Sequence, residues 1–427
     1  MKVGEMVQLN SSAKKKYLAL LSILVLIGAI FIFITQGILG DKKVTLISFI
    51  LGNKESGTRV FGDYAQVVKF CVGLNPYEEY GSSYPPFALI VMLPFAYVAK
   101  SSASLPINKM PYESSFILSF TLYNLIVLSI ISACIFSIVK SSKKIKATIV
   151  FLIVFSSPYL YALSRGNIVT LPFMFILLFI TFLNSEKRWQ RELSYLFLAV
   201  AGCIKIYPLI FGTLLLIKKD FRGSVKVAIY FFVITFLSFL CFKGGVNNVK
   251  LFFTHMGNFI EENMHSIKRT NASLQGMVTN SLLKLFKNAP DKLVSVLADG
   301  ALVVAILLSI VAILVCILGS VDKHSLIFAL CSVAIILPNV SFYYVAVIFG
   351  LPFAIFIAEF ENYSKLYKIA FGFAYLMLFS IFAFNVVFGA IPLTAIMVCS
   401  LVYVIVRYSK NAVLTTKRSF QKEKKGN

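Results

Sequence analysis

Asp63 is the best-placed carboxylate in the chain. It follows Phe61-Gly62, precedes Tyr64, has no cation within three residues, and sits between a first apolar run and a proline-rich corner. Such a group can cap the short helix predicted over Tyr64–Phe70, because Asp is a favoured N-cap. It can equally take a proton as a general base. The residues leave both roles open, and the two can coexist. Two cations, Arg165 and Lys205, lie close to apolar segments, and a cation at the bilayer centre costs about 2.5–3.5 kcal/mol on insertion scales. Either they snorkel to the outer headgroups, or they hold a phosphate at the membrane surface, Arg165 in bidentate fashion. A third constellation, Thr270 to Gly276, offers the amide of Asn271 and the hydroxyl of Ser273. It reads as a helix start or as a sugar-binding loop, and Asn271-Ala272-Ser273 also fits the Asn-x-Ser glycosylation pattern. The other outer acids have plainer readings: Asp41 as a solvated turn, Asp291 as a helix start, Asp299 as part of the packing.

The elements that must position these groups are membrane helices. Of 427 residues, 59% are hydrophobic and 14% charged. Apolar runs near the roughly 20 residues needed to cross a bilayer recur throughout, so the fold class is an all-α polytopic membrane protein. The runs are continuous rather than alternating, which argues against a barrel. They also leave no room for a separate soluble domain, so residues 1–427 read as a single integral-membrane domain. The 7 cysteines mostly lie inside apolar segments without metal-ligand spacing and read as small buried hydrophobes. A net charge of +23 raises the possibility of nucleic acid, but the basic residues cluster at alternate loop ends. That pattern is the positive-inside rule, and it suits an anionic leaflet without a nucleic-acid partner.

Lys14-Lys15-Lys16 precede the first crossing, Tyr17 to Thr35, so the loop carrying Asp63 is expected outside. A signal peptide is the less favoured reading of this start, since the apolar part is long and no small-residue cleavage site follows. The first outer loop, residues 37–113, holds turn signals at Asn75-Pro76-Tyr77 and Tyr84-Pro85-Pro86, and reads as two short surface helices joined by a rigid corner. Further crossings are expected at Ser114–Val139, Ala147–Leu163 and Ile168–Leu183. The stretch Leu193–Ile217 is broken at Lys205-Ile206-Tyr207-Pro208 and reads as a hairpin of two half-length helices. After a crossing at Val225–Phe242, a second outer loop occupies residues 243–292, and later crossings lead to a basic cytoplasmic tail at 407–427. The total is about twelve membrane segments with both termini inside.

The ordered set Asp63, Asn75-Pro76-Tyr77, Tyr84-Pro85-Pro86, Arg165-Gly166-Asn167, Lys205-Ile206-Tyr207-Pro208 and Asn271-Ala272-Ser273-Leu274 resembles the family-87 glycosyltransferases. That family includes polyprenol-phosphate-mannose-dependent alpha-mannosyltransferases. The resemblance spans residues 15–350 and rests on order and spacing rather than on any single motif. It implies a C-type glycosyltransferase fold with a catalytic Asp in the first outer loop, hence Asp63 as general base and Arg165 and Lys205 as donor-phosphate contacts. Tyr64, Asn75, Tyr84, Asn167, Tyr207, Asn271, Ser273, Tyr343 and Tyr344 are the expected substrate contacts. One departure is visible: family members often carry histidines near the late outer turn, where this chain reads Pro338-Asn339-Val340-Ser341-Phe342-Tyr343-Tyr344. A tyrosine hydroxyl would have to stand in there.

The resemblance implies transfer of a hexose, mannose first among them, from a polyprenyl-phosphate donor to a glycolipid or glycan acceptor on the outer face of the plasma membrane. Inverting displacement needs one base and no protein nucleophile, and no acid or histidine cluster calls for a metal or other cofactor beyond the lipid-linked co-substrate. Two rival readings share the helices. A lipid or solute transporter would show paired broken helices, and only Leu193–Ile217 is strongly broken. A surface-polysaccharide polymerase would place its chemistry in the second outer loop, at His255, His265 and Arg269.

Overall fold

A computed structural model describes residues 3–32, 61–264, 271–286, 290–379 and 390–426. Most of the first outer loop before Phe61, together with His265 and Arg269, lies outside the described residues. The described residues are mainly helical, and among them the β-type pairing is an isolated bridge between Asn271 and Phe342. The helices are α1 (Val3–Ile32), α2 (Gly62–Gly73), α3 (Pro86–Val98), α4 (Ser114–Ile138), α5 (Lys143–Val154) and α6 (Ser157–Arg165). They continue with α7 (Thr170–Phe182), α8 (Arg188–Ile204), α9 (Thr213–Ile217), α10 (Phe221–Leu240), α11 (Asn247–Met264) and α12 (Leu274–Leu285). The last five are α13 (Asp291–Leu318), α14 (Lys323–Ile336), α15 (Gly350–Ala358), α16 (Lys365–Phe379) and α17 (Ile391–Gly426).

Among the described residues, four stretches are long and apolar enough to cross a bilayer: Ser114–Ile138, Phe221–Leu240, Lys292–Leu318 and Ile391–Val413. The pair α5 and α6, bent by 52°, makes a fifth if it is one span. Pro158 lacks the N–H that would continue the α5 ladder, which gives the bend its cause. The expected total of twelve also counts shorter apolar helices such as Thr170–Phe182 and Lys323–Ile336 as crossings, whereas Pro86–Val98 corresponds to an expected surface helix. On α10 the large side chains Phe232, Phe236 and Leu237 are exposed, as a hydrocarbon solvent allows.

Helix ends follow local chemistry. Ser142, Asp220, Ser273 and Asp322 each accept a hydrogen bond from a backbone N–H three residues on and cap α5, α10, α12 and α14. The break expected at Lys205 is present: α8 stops there with Lys205 extended at φ −148° and ψ 139°, and a 3-10 turn over Tyr207–Gly212 follows. Pro208 has no N–H to bond the carbonyl of Ile204 four residues back, the last residue of α8, which accounts for the break.

The chain divides into two compact units: residues 1–74, 91–177 and 344–389, and residues 75–90, 178–343 and 390–427. In the first, Tyr17 on α1 donates to the Gly372 carbonyl of α16 at 3.1 Å and stacks on Phe360. In the second, α8 packs on α10, while α13 packs on both α12 and α17. The serine hydroxyls of Ser332 and Ser400 meet at 3.1 Å between α14 and α17.

Candidate functional site

In the first unit, two left-handed turns close against each other. Phe61, at φ 56°, enters α2, and its N–H donates to the Ser164 carbonyl at 2.8 Å. Gly166, at φ +66°, ends α6, with the Asn167 N–H returning to the Ala162 carbonyl at 2.9 Å. A Cβ on Gly166 would lie 2.7 Å from the Tyr64 Cβ and 3.0 Å from the Phe61 Cα. Only glycine gives both this conformation and this approach.

The two turns bring together side chains about a hundred residues apart. Arg165 Nη2 donates to Asp63 Oδ1 at 2.9 Å, and Asn167 Nδ2 donates to Oδ2 at 2.8 Å. Asn167 is itself fixed, because its Oδ1 accepts from the Val169 N–H at 3.1 Å. The Asp63 side chain is 13% exposed and that of Arg165 29%. Each carboxylate oxygen receives one donor and keeps a second lone pair. Asp63 does not cap its helix: the N-cap position is Phe61, and no side chain caps it. The carboxylate is aimed at Arg165 and Asn167 instead. The sequence offered Arg165 and Asn167 as substrate contacts and gave no sign of their link to Asp63. The polar-Gly-polar spacing at a helix end was the available signal.

Tyr64 lies in the core, fully buried among Phe116, Phe120 and Tyr123, with its hydroxyl 2.7 Å from Ser119 Oγ. This packing fixes α2, and with it the direction of Asp63. Tyr344 is buried and stacks on Tyr161, with ring centroids 5.9 Å apart, and both rings lie within electrostatic reach of Arg165.

The second unit holds the other expected contacts. The Asn75–Tyr84 corner is tied internally: Tyr77 donates to the Tyr84 carbonyl at 3.0 Å, and His255 Nε2 lies 2.9 Å from the Tyr77 carbonyl. Asn75 donates to Glu78 at 3.3 Å and keeps a buried, unpartnered Oδ1. Lys205 Nζ sits 5.8 Å from the Tyr84 ring centroid, a cation–π arrangement that holds the ammonium beside an aromatic face. The Tyr207 hydroxyl is buried with no partner.

Asn271 and Ser273 are occupied by the fold. Asn271 Oδ1 accepts from the Ser273 N–H at 3.2 Å and from the Ser341 N–H at 3.0 Å. Ser273 Oγ donates to the Asn339 carbonyl at 2.9 Å and accepts from the Gly276 N–H at 2.9 Å. A Cβ on Gly276 would meet the Asn271 Cγ at 2.3 Å, so the glycine is required here too. Thr394 donates to the Ala272 carbonyl at 2.9 Å from α17. The two turns that sequence reading treated separately, at 271–276 and 338–344, are one backbone junction, and Tyr343 is buried beside it.

An all-helical, lipid-exposed scaffold carrying a clamped carboxylate, a cation on an aromatic face and polar junctions at its turns has the features of a membrane-embedded enzyme that handles polar substrates. Residues 83–341 match the family model of glycosyltransferase family 87, which is more than half of the chain, and the protein belongs to that family. It is therefore a membrane glycosyltransferase, using a sugar donor and an acceptor. The matched range begins after Asp63 and contains Arg165, Asn167, Lys205 and the 271–341 junction. No curated protein and no solved structure matches the chain.

Proposed function

We propose that this glycosyltransferase moves a hexose, with mannose the first candidate, from a polyprenyl phosphate to a glycolipid or glycan acceptor on the outer face of the plasma membrane, both termini being cytoplasmic. The observation that carries the mechanism is the Asp63 carboxylate held on both oxygens by Arg165 and Asn167. Asp63 takes the proton of an acceptor hydroxyl as that oxygen forms a bond to the anomeric carbon. The bond from this carbon to the phosphate oxygen breaks on the opposite side, the phosphate leaves with the electron pair, and the anomeric centre inverts.

Asn167 and Arg165 orient the base, and the remaining N–H edge of Arg165 is available to the phosphate. Lys205, beside Tyr84, supplies the principal positive charge for the leaving group. In the second unit, Asn75 and Tyr207 carry buried polar atoms suited to contact a sugar. The Oδ1 of Asn271 and the Oγ of Ser273 contribute by holding their junction. Incubating the purified protein with a panel of labelled polyprenyl-phosphate sugars tests the donor assignment. Transfer from a nucleotide sugar but from no polyprenyl-phosphate sugar overturns it.

A further inference from the structure

Lys205 carries its charge at the end of a long, flexible stem, and no helix beneath it aims that stem. The helix α8 has ended at Ile204, and Lys205 itself is extended at φ −148° and ψ 139°. A lysine ammonium so placed is a mobile point charge unless something localises it. The Tyr84 ring does so, with its centroid 5.8 Å from Nζ and within cation–π range. Where the ammonium sits therefore depends on how firmly that ring is held.

The backbone of Tyr84 is fixed at both of its polar groups. Its N–H donates to Ser82 Oγ at 3.1 Å, and its carbonyl accepts from the Tyr77 hydroxyl at 3.0 Å. Pro85, next in the chain, restricts Tyr84 further by disfavouring helical backbone before it. Tyr77 is itself anchored. Its side chain is fully buried, with the rings of Phe239 on α10 and Phe252 on α11 at centroid distances of 5.8 and 6.1 Å. Its carbonyl accepts from the Gly81 N–H at 3.2 Å, and His255 Nε2 on α11 lies 2.9 Å from the same oxygen. A carbonyl only accepts, so His255 Nε2 carries the hydrogen and takes up the second lone pair. Contacts thus run from His255 through Tyr77 and Tyr84 to Lys205, all within the second unit.

We infer that Tyr77, held by His255, is a positioning residue for the donor phosphate. It sets the Tyr84 ring and, through that ring, the place of the Lys205 ammonium. Neither Tyr77 nor His255 needs to touch the substrate to do this. The inference rests on the reading of Lys205 as a phosphate contact.

The test uses full-length protein in nanodiscs, with farnesyl phosphate as a short polyprenyl-phosphate probe and farnesol as its uncharged control. Binding is read by titration calorimetry against empty nanodiscs, beside thermal melting. Lys205→Ala should weaken farnesyl phosphate binding about tenfold or more, the effect of one charge-assisted hydrogen bond, and leave farnesol binding unchanged. Tyr77→Phe keeps the ring and removes only the hydroxyl. It should weaken farnesyl phosphate by about threefold to tenfold, the effect of one neutral hydrogen bond, again without changing farnesol. Added to Lys205→Ala, Tyr77→Phe should change nothing further, because the charge it positions is gone. His255→Leu should act in the same direction as Tyr77→Phe. His255→Gln, whose amide can still donate to the Tyr77 carbonyl, should bind as the wild type does. The inference is overturned if Lys205→Ala weakens farnesyl phosphate while Tyr77→Phe and His255→Leu bind it normally, whatever their melting temperatures. It is also overturned if the effects of Tyr77→Phe and Lys205→Ala add, or if farnesol binding falls equally, either of which marks a purely structural role. Wild-type farnesyl phosphate binding by Lys205→Ala would instead show that the phosphate reading of Lys205 has failed, and the inference with it.

Discussion

Replacing Asp63 by Asn keeps the size of the side chain and removes its ability to accept a proton. The structure shows what else it disturbs. The new Oδ1 can still accept from Arg165, but the new Nδ2 would face the Asn167 Nδ2, donor against donor, where the carboxylate accepted at 2.8 Å. Asn167 is not free to flip, because its Oδ1 is held by the Val169 N–H. One buried donor is left unsatisfied, at a cost of about 1–3 kcal/mol, so a modest fall in melting temperature is expected. The double variant Asp63→Asn with Asn167→Asp removes that fall. The amide at 63 then donates to the carboxylate at 167, which still accepts from Val169, and Arg165 keeps a nearby negative charge. If Asp63 is the base, transfer drops by about 10²–10⁴-fold in both the single and the double variant, equivalent to roughly 3–5 kcal/mol of barrier. Stability should recover in the double variant and activity should not. The assay is single-turnover transfer from a labelled polyprenyl-phosphate sugar, read beside thermal melting in the same detergent. A well-folded double variant that transfers at the wild-type rate would refute the assignment of Asp63 as the base.

Three further outcomes follow from the same geometry. Gly166→Ala places a Cβ 2.7 Å from that of Tyr64 in a left-handed turn; it should cost at least about 1–2 kcal/mol from backbone conformation alone and lower transfer by displacing Arg165 and Asn167, and wild-type melting and activity would show that the two turns do not close as described. Lys205→Ala should raise the donor KM by about tenfold or more, the effect of one charge-assisted hydrogen bond, whereas Lys187→Ala should not; equal donor dependence in the two variants would remove Lys205 from the phosphate site. With the exposed Cys241 and Cys399 changed to Ser, a cysteine at the exposed positions Ser104 or Asn247 should react with an impermeant thiol reagent in intact cells, and one at Ser142 should not; the opposite pattern inverts the orientation.

The long helices were legible because what specifies them is local. An apolar run of about 20 residues has to satisfy its own backbone in lipid, so the spans at Ser114–Ile138, Phe221–Leu240 and Lys292–Leu318 announce themselves. The break at Lys205-Ile206-Tyr207-Pro208 is equally local, since a proline withholds the N–H that would bond the carbonyl four residues back. The small helices were only partly legible: Tyr64–Phe70 was expected and Gly62–Gly73 is found, because a left-handed Phe61, held by the Ser164 carbonyl, sets the true start.

The site depended on contacts that composition and spacing do not encode. Whether Asp63 capped a helix or pointed elsewhere was undecidable from its neighbours, and the deciding partners are Arg165 and Asn167, 102 and 104 positions away. Asn271 and Ser273 read in the sequence as a helix start or a sugar-binding loop, and the turn at 339–341 engages the Oδ1 of Asn271 and the Oγ of Ser273. The Oε1 of Gln275 and the Oγ1 of Thr279 lie buried without hydrogen-bond partners on α12, which packs against α13, and nothing in their neighbours along the chain signals it. In each case the sequence determined which chemical groups were present and which segments were helical. Which of those groups stayed unspent was decided by the tertiary structure, because a hydrogen bond is satisfied by whatever lies about 3 Å away in space, however distant it is along the chain.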